Sequence, residues 1–269
     1  MKPILVGAVI YDPKVTLIWD IIKEFFAAEG CAIDSVFYSN YELQVDALVE
    51  RHIDIAWNSP LAWLDAQRRT GGSCRALAMR DTDRDRVTHL VVRADSGIRT
   101  VGDLQGRTIA TGAADSPQAT LLPLHHLHQH GVVVRVRRHD LLVGKHGDHI
   151  GGEKEALRSL HAGDADATAM LDLNWDAWCA DGTIDPAQLR ILDSTAPYDH
   201  CNFTALGTWP ADRADQWSAV LFRMRYDNPE HRTMMDLEGL KAWLPGRTSG
   251  YTALAEAVRE QSFFEPAVR

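Results

Sequence analysis

Cysteine is scarce in this chain. Four occur in 269 residues, Cys31, Cys74, Cys179 and Cys201, and no two are spaced as CxxC. That argues against a disulfide framework and against a zinc knuckle. Long apolar runs are missing as well; nothing approaches the roughly 20 residues needed to span a bilayer, so no membrane insertion is expected. Positive charge is in deficit: 28 Lys and Arg stand against 37 Asp and Glu, a formal net charge of -9. A nucleic acid or an anionic membrane is therefore not the expected main partner. No internal repeat and no low-complexity linker interrupts the chain. The opening MKPILVGAVIYDPKV has only a short apolar run, lacks a small-residue cleavage site and leads straight into folded-looking sequence. The expected location is cytoplasmic as the sequence stands, or periplasmic if a leader has been removed.

What is present is the material of an α/β protein. Apolar residues make up 45% and charged residues 24% of the chain, enough for a sizeable core. Residues 4–10 form a continuous apolar run, as a strand buried on both faces requires. A helix over 15–29 places Ile18, Ile22, Phe25 and Phe26 on one face. Strands are expected at 33–39, 53–59 and 74–79, with helices at 41–51 and from Pro60 between them. This alternation predicts a mostly parallel sheet flanked by helices.

A second round follows. Strands are expected at 87–93, 107–111, 132–136 and 165–171, and helices from Ser116-Pro117, over 153–161 and after Asp172, which is expected to cap its helix. The stretch 190–196 is extended and is expected to return the chain to the first layer. Another strand is expected over 203–208, then helices over 212–225, 235–243 and 251–264. The expected fold is two-lobed, each lobe a mostly parallel sheet with helices, joined by a two-strand hinge. Lobe one would comprise 1–91 and 196–269, and lobe two, inserted in it, 92–195.

In open parallel sheets ligands sit beyond the C-terminal ends of strands. The stretch Gly112 to Thr120 is such an end: a strand, a small-residue turn, then Ser116 as N-cap and Pro117 at the first helical position. Backbone N–H groups and the positive end of the helix dipole then converge, which suits an anion; the bland alternative is an ordinary turn. Asn58-Ser59-Pro60 offers a second amide, hydroxyl and helix start, or simply an N-cap. Lys145-His146-Gly147-Asp148-His149 lies in a glycine-rich loop whose histidines can bind an anion or a metal. Asp199-His200-Cys201 adds an imidazole and a thiol, which serve recognition, hinge packing, or acid/base and nucleophilic chemistry. His146, His149, His200 and Cys201 would make an N/S transition-metal site. His125, His126, His128 and His130 share one helix at i,i+3 and i,i+4 spacing, more simply a solvated or partly buried face than a metal site. Most of the tryptophans are expected in the core.

Several segments together carry a family resemblance: DIAWNSPLAW, VVRADSGIRTVGDLQGRTIATGAADSPQATLLP, GDHIGGEKEALRSLHAGDADATAMLD and GLKAWLPGRTSGYTALAEAV. They resemble the phosphate/phosphite/phosphonate-binding proteins of ABC transporters, within the type II periplasmic-binding-protein fold. The resemblance implies a protein that closes around a small anionic ligand, with an ABC permease as partner and no cofactor. Carried over by position, it implies ligand contacts at Tyr11, Asn58, Ser59, Ser116, Gln118, Thr120, His149, Asp172 and Asn174; His200 is added from its place at the return crossing. The turn at Asp115 is poorer in hydroxyls than the family's Ser/Thr-rich version. The alternative is a cytoplasmic enzyme on the same fold, acting on a small anionic metabolite, with His200 and Cys201 catalytic or a transition metal bound.

Overall fold

The structure is a computed structural model that describes residues 2–10, 12–140 and 150–265, without the side chains of 150 and 151. The chain folds as two compact units, 1–84 with 199–251 and 85–198 with 252–269.

The first unit contains β1 (Ile4–Val9), α1 (Lys14–Ala28), β2 (Ile33–Tyr38), α2 (Tyr41–Val49), β3 (Ile55–Asn58), α3 (Pro60–Arg69), β4 (Cys74–Arg80), β10 (Asn202–Leu206), α7 (Ala211–Leu221), α8 (Pro229–Glu238) and β11 (Trp243–Pro245). Its sheet runs β2-β1-β3-β10-β4-β11. β1 pairs in parallel with β2 and β3, whereas β10 lies antiparallel between β3 and β4, and β11 is antiparallel to β4. The uniform parallel run expected of the first four strands is thus broken by β10, supplied from 120 residues further on.

Helices cover both faces because the sheet is apolar on both. On α1 the buried residues Val15, Ile18, Trp19, Ile22 and Phe26 form one stripe at helical spacing. They join Trp57, Phe203, Trp217 and Trp243 in one core. Across the sheet, Val45 and Leu48 of α2 pack with Ala62 and Trp63 of α3 and with Tyr251. Burying each large apolar side chain contributes on the order of 2 kcal/mol. Trp57, Trp63, Trp178 and Trp243 are core residues, as expected.

The second unit contains β5 (Thr88–Arg93), β6 (Thr108–Thr111), α4 (Leu122–Gln129), β7 (Arg135–Arg138), α5 (Ile150–Ala162), β8 (Ala167–Leu171), α6 (Asp172–Ala180), β9 (Leu189–Ser194) and α9 (Thr252–Glu260). Its sheet runs β7-β6-β8-β5-β9. β6 is parallel to β7 and β8, while β5 is antiparallel to β8 and β9. Strand alternation divides β5: Leu90 and Val92 enter the core beneath α4, and Val91 the core beneath α5 and α6.

Four expectations are corrected in detail. The stretch 190–196 does not return the chain to the first layer; β9 is the edge strand of the second sheet. The strand expected at 132–136 sits at Arg135–Arg138, all exposed, because Val132 belongs to the core as the chain leaves α4. The helix expected over 235–243 is α8, which ends at Gly239 in the left-handed region (φ 68), and Trp243 begins β11. Asp172 is the first residue of α6 rather than its cap; Leu171 holds that place with no side-chain cap bond. Asp83, in the charged turn 80–86, is 1% exposed.

Candidate functional site

In the second unit, β6 ends at Thr111 and the chain turns through Gly112 into a helix. Gly112 is required there: a Cβ would lie 2.8 Å from the Cβ of Ala119. Gly152 has the same role opposite, where a Cβ would meet the His139 carbonyl at 3.0 Å and the Ala113 nitrogen at 3.3 Å. Two bare backbones can therefore pack α5 against the turn.

Ser116 is the N-cap. Its Oγ accepts from the Ala119 N–H at 3.1 Å, and its carbonyl accepts from Thr120 and Leu121 N–H at 3.2 and 3.0 Å. Because this oxygen accepts in the cap, its own hydroxyl proton remains to be donated. The first turn, Pro117–Leu121, is π-helical before α4 continues, a wider turn common at functional positions. Thr111, Ser116, Gln118 and Thr120 are all at most 5% exposed. Thr111 Oγ1, Thr120 Oγ1 and Gln118 Oε1 have no hydrogen-bond partner among the described residues. Native interiors rarely leave such groups unpaired without a function for them.

Beneath this turn lies Glu153, in the first turn of α5 and fully buried. Its Oε1 accepts from Gln118 Nε2 at 3.1 Å; its Oε2 accepts from Leu171 N–H at 3.1 Å and Asn174 Nδ2 at 2.9 Å. One carboxylate thus fixes two of the expected ligand residues, Gln118 and Asn174. Asp172 Oδ2 pairs with Arg86 Nη1 at 3.3 Å, and its Oδ1 is buried without a partner among the described residues. Thr88 Oγ1 bonds the Gln118 carbonyl at 2.9 Å and the Tyr198 hydroxyl at 3.1 Å. Burial pushes the Tyr198 phenol well up, so it stays protonated. Five of the expected residues, Ser116, Gln118, Thr120, Asp172 and Asn174, therefore share one strand-end region, and Asp115 beside them is half-buried.

In the first unit, Asn58 at the end of β3 is fully buried and accepts from Gln44 Nε2 at 2.9 Å, while its Nδ2 has no partner among the described residues. Ser59 Oγ accepts from Ala62 N–H at 3.3 Å as the N-cap of α3. Trp57 points away into the aromatic core, as strand alternation requires.

In the first unit, His200 and Cys201 meet Asp83. His200 Nδ1 lies 3.1 Å from Cys201 Sγ and 3.6 Å from Asp83 Oδ1. Asp83 is held by Arg80 Nε at 2.7 Å and Nη2 at 2.8 Å, and it accepts from the Cys201 N–H at 3.2 Å. Arg80 also donates to Glu238 Oε2 at 3.0 Å and stacks over Trp57 at 5.2 Å. Burial opposes charge on His200, but the Cys201 sulfur and the Asp83 carboxylate override it and raise the imidazole to about 10. Burial likewise opposes charge on Asp83, and Arg80 with His200 holds it well below the usual carboxylate range. One ligand atom each from Asp83, His200 and Cys201 lies within 4.8 Å of the others. The Arg80 guanidinium already occupies Asp83, so the group reads as a buried ion-pair lock more than as a cation site. Tyr11, His146 and His149 lie outside the described residues.

Sequence reasoning missed Thr111, Glu153, Arg86 and the Arg80–Asp83 pair. Glu153 carried a signal, an acid directly after Gly151-Gly152 at a helix start; Arg80 and Asp83 carried none beyond i,i+3 spacing.

A family model described as ABC transporter, phosphonate, periplasmic substrate-binding protein matches residues 18–251. The chain belongs to this family. Solved relatives share the fold of this family member end to end. PhnD1 from Prochlorococcus marinus, solved with methylphosphonate, is 17% identical over 97% of this chain and 98% of its own, with a TM-score of 0.70. A Xanthomonas citri protein solved bound to ATP is 17% identical over 100% of both chains, with a TM-score of 0.74. A binding component of a phosphonate transporter from Pseudomonas aeruginosa is 14% identical over 98% of this chain and 87% of its own, with a TM-score of 0.61. These establish the two-lobed type II periplasmic-binding-protein fold. An uncharacterised Haemophilus influenzae protein is 56% identical over 36 residues, 13% of this chain. The chain spans about half (51%) of the length of that curated relative. The enzyme alternative gains no support from any of these proteins. No helix among the described residues is long and apolar enough to cross a membrane.

Proposed function

We propose that this chain binds a small oxyanion of the phosphonate class as the solute-binding component of an ABC transporter. The observation that carries the reading is the set of buried, unpartnered hydroxyls around the Ser116 helix start, Thr111 Oγ1 and Thr120 Oγ1. Hydroxyl donors and a helix N-terminus suit a tetrahedral oxyanion, since hydrogen bonds to a charged acceptor are roughly twice as strong as neutral ones. Ser116 adds its free proton. Glu153 acts through Gln118 and Asn174, fixing their amides, and Asp172 with Asn174 reads the remainder of the ligand. Asn58, Ser59 and His200 are the candidate ligand residues of the first unit. The role implies a periplasmic location and a permease that receives the loaded protein, with no cofactor needed.

Isothermal titration with methylphosphonate and with inorganic phosphate tests this. One saturable site, lost in Ser116→Asp while the fold survives, supports it. No binding of either anion, or unchanged affinity in Ser116→Asp, sinks it.

A further inference from the structure

The histidine-rich helix α4 is not a uniform solvated face. His125 and His126 are buried, at 7% and 9% exposure, and His128 and His130 are exposed. The two pairs also separate in space. His125 and His128 turn to α9, where both Nδ1 atoms meet Glu260 Oε2, at 2.8 and 3.0 Å. His126 turns to the edge strand β9, its Nε2 lying 2.9 Å from Asp193 Oδ2. His130, one turn on, brings its ring to 4.4 Å from that of His126.

From this geometry we propose that His126, His130 and Asp193 form a binding site for a borderline transition-metal dication such as Zn2+. One donor atom from each lies within 4.8 Å of the others. Tetrahedral zinc with bonds of about 2.0–2.1 Å places its ligand atoms about 3.3 Å apart, so small shifts of the three side chains bring them to that spacing.

Two details go beyond a chance cluster. The first is the tautomer of His130. Its Nδ1 lies 2.8 Å from the His126 carbonyl oxygen. A carbonyl only accepts, so Nδ1 carries the proton and Nε2 keeps its lone pair. A backbone carbonyl fixing the far nitrogen is how metal-bound histidines are oriented. The second is charge. Both histidines sit in the last turn and cap of α4, at the negative end of the helix dipole. A metal entering would take the place of the proton between His126 and Asp193, that proton moving to His126 Nδ1 so that the imidazole stays neutral; it would take two nitrogens and one oxygen from the chain and leave a fourth position for water or another ligand. This set lies within the second unit and is independent of the proposed anion site.

Titrating tag-free full-length chain, stripped with a chelator, with Zn2+ alone decides the matter. The expected result is one saturable site, weakened at least about 10-fold in His130→Ala and in Asp193→Asn, and unchanged in Cys201→Ala and in the double variant His146→Ala, His149→Ala. His130 is exposed and Asp193→Asn preserves shape, so both variants should melt as the parent does. Co2+ in place of Zn2+ should give visible absorption without a thiolate charge-transfer band. The proposal is overturned by absence of saturable Zn2+ binding, by equal affinity in both site variants, or by a thiolate band that vanishes with Cys201→Ala.

Discussion

The buried carboxylate of Glu153 reaches Gln118 through one oxygen, at 3.1 Å, and Asn174 through the other, at 2.9 Å. It ties the π-helical turn after β6 to the first turn of α6, so the strand ends of β6 and β8 are set by a single side chain. Glu153→Ala leaves the donors of Gln118, Asn174 and Leu171 without this acceptor inside the fold. A loss on the order of 3 kcal/mol is expected in denaturant unfolding, together with weaker anion binding. Glu153→Gln, which keeps one acceptor, should fall between. Parent-like stability in Glu153→Ala would show that the carboxylate organises nothing.

Thr120 and Thr111 give a sharper separation of fold from function. Their hydroxyls are buried and bond nothing among the described residues. Replacing either by valine keeps the shape and removes an unpaired polar group. Thr120→Val and Thr111→Val should therefore melt at or slightly above the parent temperature. Each should nevertheless weaken methylphosphonate binding by about 10-fold, the loss of one hydrogen bond to a charged group. A drop in melting temperature with unaltered affinity would assign the hydroxyls to the fold.

Arg80 and Asp83 behave as a unit. Removing one partner strands the other charge in the core, at a cost of about 3–5 kcal/mol. Asp83→Ala also deprives the Cys201 N–H of its acceptor. Both Arg80→Met and Asp83→Ala are expected to destabilise strongly, and the double variant by less than the sum. Additivity in chemical denaturation would mean the two residues are not coupled.

His200 gives stability a pH dependence of definite sign. Its folded-state value is raised to about 10 from the ordinary value near 6.5. The fold binds the proton more tightly than the unfolded chain does, so the contribution is complete below about pH 6.5 and is lost as pH rises toward about 10. The melting temperature of the parent should fall over that interval, and its advantage over His200→Asn should shrink. A constant gap between the two proteins would show that the imidazole is not stabilised as a cation.

How much of this was legible in the sequence follows from which residues act locally. The run 4–10, the stripe Ile18–Ile22–Phe26 and the caps Ser59 and Ser116 obey short-range rules, and each forms where its pattern places it. The segment quotations carried the family. What escaped depends on distance along the chain. The place of β10 between β3 and β4 is fixed by pairing with residues over 120 positions away. Glu153 matters because two glycines let α5 approach a turn forty residues earlier. Asp83 is a core anion because Arg80 and the 200–201 segment close around it, and nothing in the charged run from Arg80 to Arg86 distinguishes the buried acid from half-buried Asp81 or exposed Asp85. The helix expected to reach Trp243 failed for a local reason, Gly239, whose left-handed conformation ends α8.

In the first sheet β10 and β11 run against the other strands, in the second β5 alone, and β10 and β5 are each the first strand made after the chain has crossed over. During synthesis this has an unequal effect. When residue 84 has emerged, β3 and β4 exist but the strand that joins them does not, and it arrives with residues 202–206. The second unit holds all five of its strands by residue 194 and lacks α9 alone. The half of the molecule made first is thus the half whose sheet closes last, and until then its unpaired strand edges are the part of the nascent chain most in need of protection.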